Sequence, residues 1–182
     1  AQMQNTGQIF AYDDDRNRLK PIFERVKRAG VRNVQILKGG DQKALEALGP
    51  KFDLVLVDAP CTGTGVWRRR PESKWKLKAR NMEAHQPERA AVLATASRLT
   101  RAGGRLVYVT CSLLPEENRG TMEAFLDAAP EFSVVPFGAV WTERLGTEPP
   151  ASADGRTDTL QLTPASHGTD GFFIAILERR AA

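Results

Sequence analysis

The chain has 182 residues, of which 41% are hydrophobic and 26% charged, with a formal net charge of +4. That length suits one domain with a sizeable core, the composition excludes a disordered chain, and no apolar run of about 18 residues is present to span a bilayer. Two cysteines (Cys61, Cys111) and two histidines (His85, His167) give neither a disulfide framework nor a zinc-ligand spacing, so the pattern points to no metal and to a reducing, cytoplasmic setting. The sequence pI of about 9.3 favours a nucleic-acid partner only weakly.

Strand-like and helix-like stretches alternate along the chain. Gln8 to Tyr12 reads as a strand, and Asp13, Asp14 and Asp15 follow as candidate helix caps. Leu19, Ile22, Phe23 and Val26 then recur at helical spacing, and Gly30 ends that helix. Val34 to Lys38 is a strand, Lys43 to Leu48 a short helix, and Gly49-Pro50 a break. The run Phe52 to Val57 is nearly all apolar, as expected of a strand covered on both faces. A polar, basic loop spans Asp58 to about Arg80. Helices are predicted over 87–101 and 115–129, strands over 105–109, 132–136 and 172–177, and a long loop over 141–171. The alternation implies a mostly parallel sheet with helices on both faces, in a single domain over 1–182.

Ligands of such sheets bind beyond the carboxyl ends of the strands. Both cysteines fall there: the Phe52 strand runs into Asp58-Ala59-Pro60-Cys61, and the Arg105 strand into Thr110-Cys111-Ser112. If the strands are neighbours, the two thiols converge; otherwise each is a small buried hydrophobe. Asp13, past the first strand, is placed to accept from ribose hydroxyls or to cap a helix, and Asp41 to accept from an adenine amino group or to cap the helix after it. Between Trp67 and Arg80, the residues Arg68, Arg69, Arg70, Lys74, Trp75 and Lys76 interleave cations with indoles. Cations contact phosphates and aromatic rings stack on unpaired bases, although a charge run is more commonly a solvated loop.

Three stretches carry a resemblance. Asp58-Ala59-Pro60-Cys61-Thr62-Gly63-Thr64-Gly65, followed by Trp67-Arg68-Arg69 and Lys74-Trp75, looks like the fourth motif of the Sun-type (NOL/NOP/Sun) RNA (cytosine-5)-methyltransferases, the group of the bacterial ribosomal small-subunit enzymes. Gly103 to Ser112, with Leu114-Pro115-Glu116-Glu117-Asn118, resembles their sixth motif. Asp170-Gly171-Phe172-Phe173 resembles their closing strand. The likeness runs from residue 1 to about residue 180.

The resemblance implies a Rossmann-like, S-adenosylmethionine-dependent methyltransferase acting on carbon 5 of cytosine in RNA, with ribosomal RNA as the expected partner. It makes Cys111 the nucleophile and Cys61 the residue that assists product release. Asp58 would lie between cofactor and base. Asp13 goes to the ribose and Asp41 to the adenine region, with Arg18 also among the cofactor-binding residues. Family members carry a strand and glycine-rich loop before the stretch that matches here. The expectation is therefore an N-terminally truncated catalytic domain whose first strand is absent, with Ala1 to Gly7 as the tail of the following helix. The absent strand would belong between the Gln8 and Phe52 strands, and exchange between chains is one way to cover the edges so left. Rival readings are a non-catalytic RNA-binding module and a methyltransferase for DNA or another substrate. A dinucleotide-dependent oxidoreductase is disfavoured, because no Gly-x-Gly-x-x-Gly follows a first strand. His167 reads as a loop residue that fixes the last strand.

Overall fold

The computed structural model describes residues 3–181. The chain falls into two compact units, 1–49 and 50–182, which are taken in turn.

In the first unit, strands β1 (Ile9–Ala11) and β2 (Val34–Ile36) pair in parallel, with Ile9 opposite Val34 and Ala11 opposite Ile36. Helix α1 (Arg16–Arg28) connects them. Its N-cap is Asp15, whose carboxylate accepts from the Asn17 N–H, and Arg25, Lys27 and Arg28 sit in its last turn, where cations suit the helix dipole. Of the predicted apolar face, Leu19, Ile22 and Val26 are half-buried, but Phe23 is exposed. Gly30 follows the helix at φ 61°, the left-handed ending that glycine adopts without strain. Helix α2 (Gln42–Glu46) is capped by Asp41, which accepts from the Ala44 N–H at 3.0 Å. The expected helix tail over Ala1 to Gly7 is corrected for residues 3–7, which form turns with Gln4 and Asn5 at positive φ; Ala1 and Gln2 lie outside the described residues.

In the second unit, β3 (Phe52–Asp58), β4 (Thr100–Thr110), β7 (Phe172–Arg179) and β5 (Phe132–Val135) lie side by side in that order, and β6 (Leu160–Leu162) pairs with β7. β3 and β4 are parallel, whereas β7 runs antiparallel to β4, β5 and β6. Four strands therefore share one direction and the closing strand opposes them, so the sheet is mixed. Alternate residues of β4 and β7 turn into the core, where Leu106, Tyr108, Ala175 and Leu177 are fully buried. Helix α4 (Ala79–Leu99) contributes Leu93 and Ala96 to this core, and helix α5 (Arg119–Ala128) contributes Met122 and Phe125.

Several boundaries differ from expectation. α4 begins eight residues before Pro87 and ends at Leu99 rather than at Arg101, because Thr100 turns its hydroxyl back to the Ala96 carbonyl (2.9 Å) and starts β4 directly. Gly104 is required within β4: a Cβ there would sit 2.8 Å from the Phe52 carbonyl, where the β3 register shifts. The expected loop over 58–80 holds a 3-10 turn (Thr64–Val66) and helix α3 (Glu72–Lys76), and that over 141–171 holds the end of α6 (Phe137–Leu145), β6 and α7 (Pro164–His167). The two-sided cover expected of β3 is also corrected. Val57 is buried, but Leu54 and Leu56 are 58% and 67% exposed. They share one face of a strand that, among the described residues, pairs with β4 alone, and an unbroken apolar run conceals which face is covered.

Candidate active site

Strands β3 and β4 are adjacent and parallel, with Asp58 opposite Val109. The Ala59 N–H continues the ladder to the Val109 carbonyl at 2.9 Å, so the loops that leave the two strands start side by side. This brings Cys61 Sγ within 3.5 Å of Cys111 Sγ. Both thiols are free and half-buried. The loop after Cys61 folds back through Gly63 (φ 69°), and the Gly65 N–H donates to the Cys111 carbonyl at 2.9 Å. Gly65 also accepts from the Gly171 N–H at 2.8 Å, and a Cβ on Gly65 would lie 2.3 Å from the Gly171 carbonyl oxygen. No residue with a side chain fits there, which accounts for the glycine.

The two thiols are electrostatically opposite. The hydrogen bond from Cys61 lowers Cys111 to about 7, against burial and the Asp58 carboxylate, which both raise it. Cys61 is pushed well above the ordinary thiol range, first by that same hydrogen bond and then by burial. When the pair loses its first proton, Cys111 is the one that gives it up and Cys61 keeps its own. Cys111 is thus a thiolate over a substantial fraction of molecules at neutral pH, while a free thiol at about 8.5 is mostly protonated.

Buried polar groups surround both cysteines. Glu117 and Arg89 form an ion pair at 3.1 Å with side chains 0% and 2% exposed. The Glu117 carboxylate also accepts from the Thr62 N–H (2.9 Å) and the Thr62 hydroxyl (2.6 Å), and Arg89 Nη1 donates to the Pro60 carbonyl at 3.4 Å. Asn118 accepts from the Thr110 hydroxyl at 2.6 Å and donates to the Ser112 carbonyl at 2.9 Å. Sequence reasoning gave no role to Arg89, Glu117, Asn118 or Thr62. Glu117 and Asn118 stand within a recognised motif, but Arg89 is one cation among many on a helix and carries no sequence signal.

The basic segment divides in two. Arg68 and Arg69 both pair with Asp170, Arg68 at 3.6 Å, so these guanidiniums are partly committed to the loop before β7. Arg70 is exposed. Beyond them Lys74 Nζ stands 5.9 Å from the Trp67 ring and 5.6 Å from the Trp75 ring, and Trp75 is 81% exposed. Lys76 lines an open pocket of about 180 Å³ together with Cys61, Thr62, Ser73, Leu77 and His85. The same segment therefore presents an exposed indole, Trp75, and places one cation, Lys76, in the wall of the Cys61 pocket. Asp58 is exposed at the end of β3. His167 takes the Thr163 N–H at Nδ1 (3.1 Å) and contacts the Ala151 carbonyl through Nε2 (2.8 Å), which holds the loop before β7.

The remaining candidates lie in the first unit, at the carboxyl ends of β1 and β2. Asp13 Oδ1 accepts from the Asp15 N–H at 2.8 Å, and Asp41 caps α2. Asp41 thus fills the capping role weighed for it, whereas the cap of α1 is Asp15 and Asp13 only braces the turn before it; each carboxylate has a second oxygen beside the one so used. The turns carrying them abut: Arg16 Nε donates to the Gly39 carbonyl at 2.9 Å, the Gly40 N–H reaches the Asp13 carbonyl at 3.3 Å, and a Cβ on Gly39 would lie 2.8 Å from Arg16 Cγ. Arg18 is three-quarters exposed and pairs with Asp15 at 3.8 Å. Two acceptors on abutting turns suit the ribose and adenine portions of a nucleoside.

Solved methyltransferases share the fold of this chain. NSun6 from Pyrococcus horikoshii, solved with SFG, has a TM-score of 0.81 at 32% identity, covering 100% of this chain and 44% of that one. A methyltransferase homolog protein from the same organism has a TM-score of 0.75 at 30% identity, covering 97% and 55%. The chain belongs to the family described as 16S rRNA methyltransferase RsmB/F, whose model matches residues 1–178. The ribosomal RNA small subunit methyltransferase B of Vibrio cholerae is 33% identical over 174 residues, covering 95% of this chain and 36% of that protein; that of Klebsiella pneumoniae subsp. pneumoniae is 36% identical, covering 95% and 37%. The chain thus spans little more than a third of the length of these relatives.

Proposed function

We propose that residues 1–182 form the catalytic methyltransferase domain of an enzyme that methylates carbon 5 of a cytosine in RNA, with ribosomal RNA the substrate that its relatives' names favour. The observation that carries this reading is the pair of thiols 3.5 Å apart, whose contact lowers Cys111 and raises Cys61. Carbon 5 of cytosine is a poor nucleophile until a thiolate adds to carbon 6, so the reaction needs one ionised sulfur and, for its later release, a nearby proton carrier.

S-adenosylmethionine supplies an electrophilic methyl group on a sulfonium when bound. Asp13 would hold its ribose and Asp41 its adenine amino group, with Arg18 flanking the same turns. The Cys111 thiolate attacks carbon 6 of the cytosine, and the electron pair of the 5,6 double bond becomes available at carbon 5, which takes the methyl. Transfer of the carbon 5 proton to a water molecule acting as base restores the double bond and expels Cys111 as a thiolate. Cys61 S–H would stabilise that sulfur by hydrogen bonding at both ends of the cycle, and its contact with Cys111 supports a part for it in product release. Asp58, beside Cys111, is positioned to accept from the cytosine amino group. Trp75 offers a stacking surface to an unpaired base, and Arg70, Lys74 and Lys76, with Arg68 and Arg69 behind them, offer phosphate contacts. Free thiols of this kind suit a reducing cytoplasm.

The test is a methyl-transfer assay on RNA with labelled cofactor, followed by denaturing electrophoresis. Cys61→Ala should accumulate an RNA-shifted protein band that Cys111→Ala cannot form. Sustained turnover by Cys111→Ala would overturn the assignment.

A further inference from the structure

Two adjacent residues touch the flanks of two cysteines that are fifty positions apart in sequence. Glu117 binds Thr62, the residue after Cys61, through both its N–H and its hydroxyl, and holds Arg89, which reaches Pro60, the residue before Cys61. Asn118 binds Thr110, the residue before Cys111, and Ser112, the residue after it. The amide orientation follows from the partners, since the Ser112 carbonyl can only accept and the NH₂ must face it. We infer that the Glu117-Asn118 dipeptide is a two-armed brace that sets the separation and mutual orientation of the two thiols, with Glu117 and Asn118 acting as positioning residues.

The brace is itself anchored. The Tyr108 hydroxyl, fully buried in β4, donates to the Glu117 carbonyl at 2.6 Å, and Asn118 Nδ2 donates to Gln161 Oε1 at 2.9 Å, whose own amide donates to the Phe172 carbonyl. Asn118 also begins α5, with its carbonyl accepting from the Met122 N–H at 3.1 Å. The dipeptide is therefore fixed to β4, β7 and α5, while its side chains grip the two loops. A buried carboxylate and guanidinium are a costly way to stabilise a core, and an apolar pair of similar volume often does as well. A directional, multiply bonded carboxylate is explained by what it holds: the Pro60–Thr62 backbone, which no strand ladder reaches.

This inference deepens the function proposed above and rests on it for the statement that the thiols work on a pyrimidine; the geometric claim has a readout of its own. Diamide oxidises two neighbouring thiols, forming the S–S bond as both thiol hydrogens pass to its N=N bond. The sulfurs must close from 3.5 Å to about 2.05 Å, so the rate reports how they are held. The wild-type chain should form the Cys61–Cys111 disulfide quickly, as a loss of two hydrogens in the linked peptides. Glu117→Gln and Asn118→Asp should each slow it on the order of tenfold or more, as expected for reacting groups displaced by a fraction of an ångström to an ångström. Where Glu117→Gln fails to fold with Arg89 left unpaired, the double variant Arg89→Met/Glu117→Leu removes both charges and should show the same slowing. Loss of the Glu117 charge by itself would lower the pH midpoint for Cys111 alkylation, since that carboxylate raises Cys111, so a midpoint that rises in Glu117→Gln and in the double variant reports displacement of the Cys61 donor. Leu177→Ala, a core change in β7 away from both loops, should lower the unfolding midpoint and leave the cross-linking rate and the alkylation midpoint near wild type. Wild-type cross-linking in the brace variants, or equal slowing in Leu177→Ala, would overturn the brace. Failure of RNA methylation with the cross-linking result intact would remove the proposed function and leave the brace standing.

Discussion

Cys61 and Cys111 leave neighbouring parallel strands by loops of comparable build, each followed by a hydroxyl residue. Yet one thiol keeps its proton well above the usual range and the other gives it up near neutrality. Burial raises both, so burial does not separate them. The difference comes from the direction of a single S–H···S contact, which neither loop possesses alone. A thiol's chemistry here is a property of the pair, and the pair exists because β3 and β4 are adjacent. The largest expected effect breaks this asymmetry outright. Cys111→Ala removes the ionised sulfur of the pair and should reduce methyl transfer to background, while Cys61→Ala should slow carbon 6 addition, because Cys111 loses its hydrogen-bond donor, yet still form the adduct and stall at release. If both variants lose adduct formation equally, the division of labour between the thiols is wrong.

A second comparison sets the committed half of the basic segment against its open half. Arg68 and Arg69 are bound to Asp170, whereas Trp75 stands exposed with Lys74 beside it. Trp75→Ala should therefore weaken single-stranded RNA binding by about 1–3 kcal/mol, the usual contribution of one base–aromatic stack, measured by fluorescence anisotropy at fixed salt. Arg70→Ala should cost less and mainly flatten the salt dependence. An unchanged affinity in Trp75→Ala would make the indole a bystander.

Much of this site was legible as sequence because it lies where strands end. An apolar run that stops at Asp58, and another that stops at Thr110, mark two strand ends without any structure, and strand ends of a parallel sheet are where ligands bind. Periodicity did less well where one residue decides a boundary. Pro87 reads as a helix start, because proline is favoured there, but α4 runs through it. Leu54 and Leu56 read as core because a strand covered on one face and one covered on both share the same apolar run. The brace was not legible at all. Glu117, Asn118 and Arg89 are polar residues that a sequence places on the surface, and their burial depends on partners at positions 60 to 62, 110 and 112 that only the fold brings near.

The proton that Cys111 gives up can be followed by alkylation, peptide by peptide. In the wild type the Cys111 rate should rise with pH through a midpoint of about 7, since only the thiolate reacts and its fraction grows as the proton is lost. Cys61→Ala removes the donor that stabilises the thiolate, so the midpoint should move upward toward the free-thiol value of about 8.5, and the rate at pH 7 should fall roughly tenfold. A midpoint that stays put would show that something other than Cys61 ionises Cys111.

The smallest expected effect has the opposite sign. Asp58 is exposed, and its carboxylate raises Cys111 by opposing a second negative charge nearby. Asp58→Asn should therefore lower the alkylation midpoint, by less than one pH unit because water screens an exposed charge. The variant thiol would be more ionised at neutral pH, yet the proposed role of Asp58 toward the cytosine amino group requires methyl transfer to fall. Faster alkylation with slower methylation would separate the two effects of one carboxylate. Faster alkylation together with faster methylation would leave Asp58 only as a brake on the nucleophile and remove it from substrate binding.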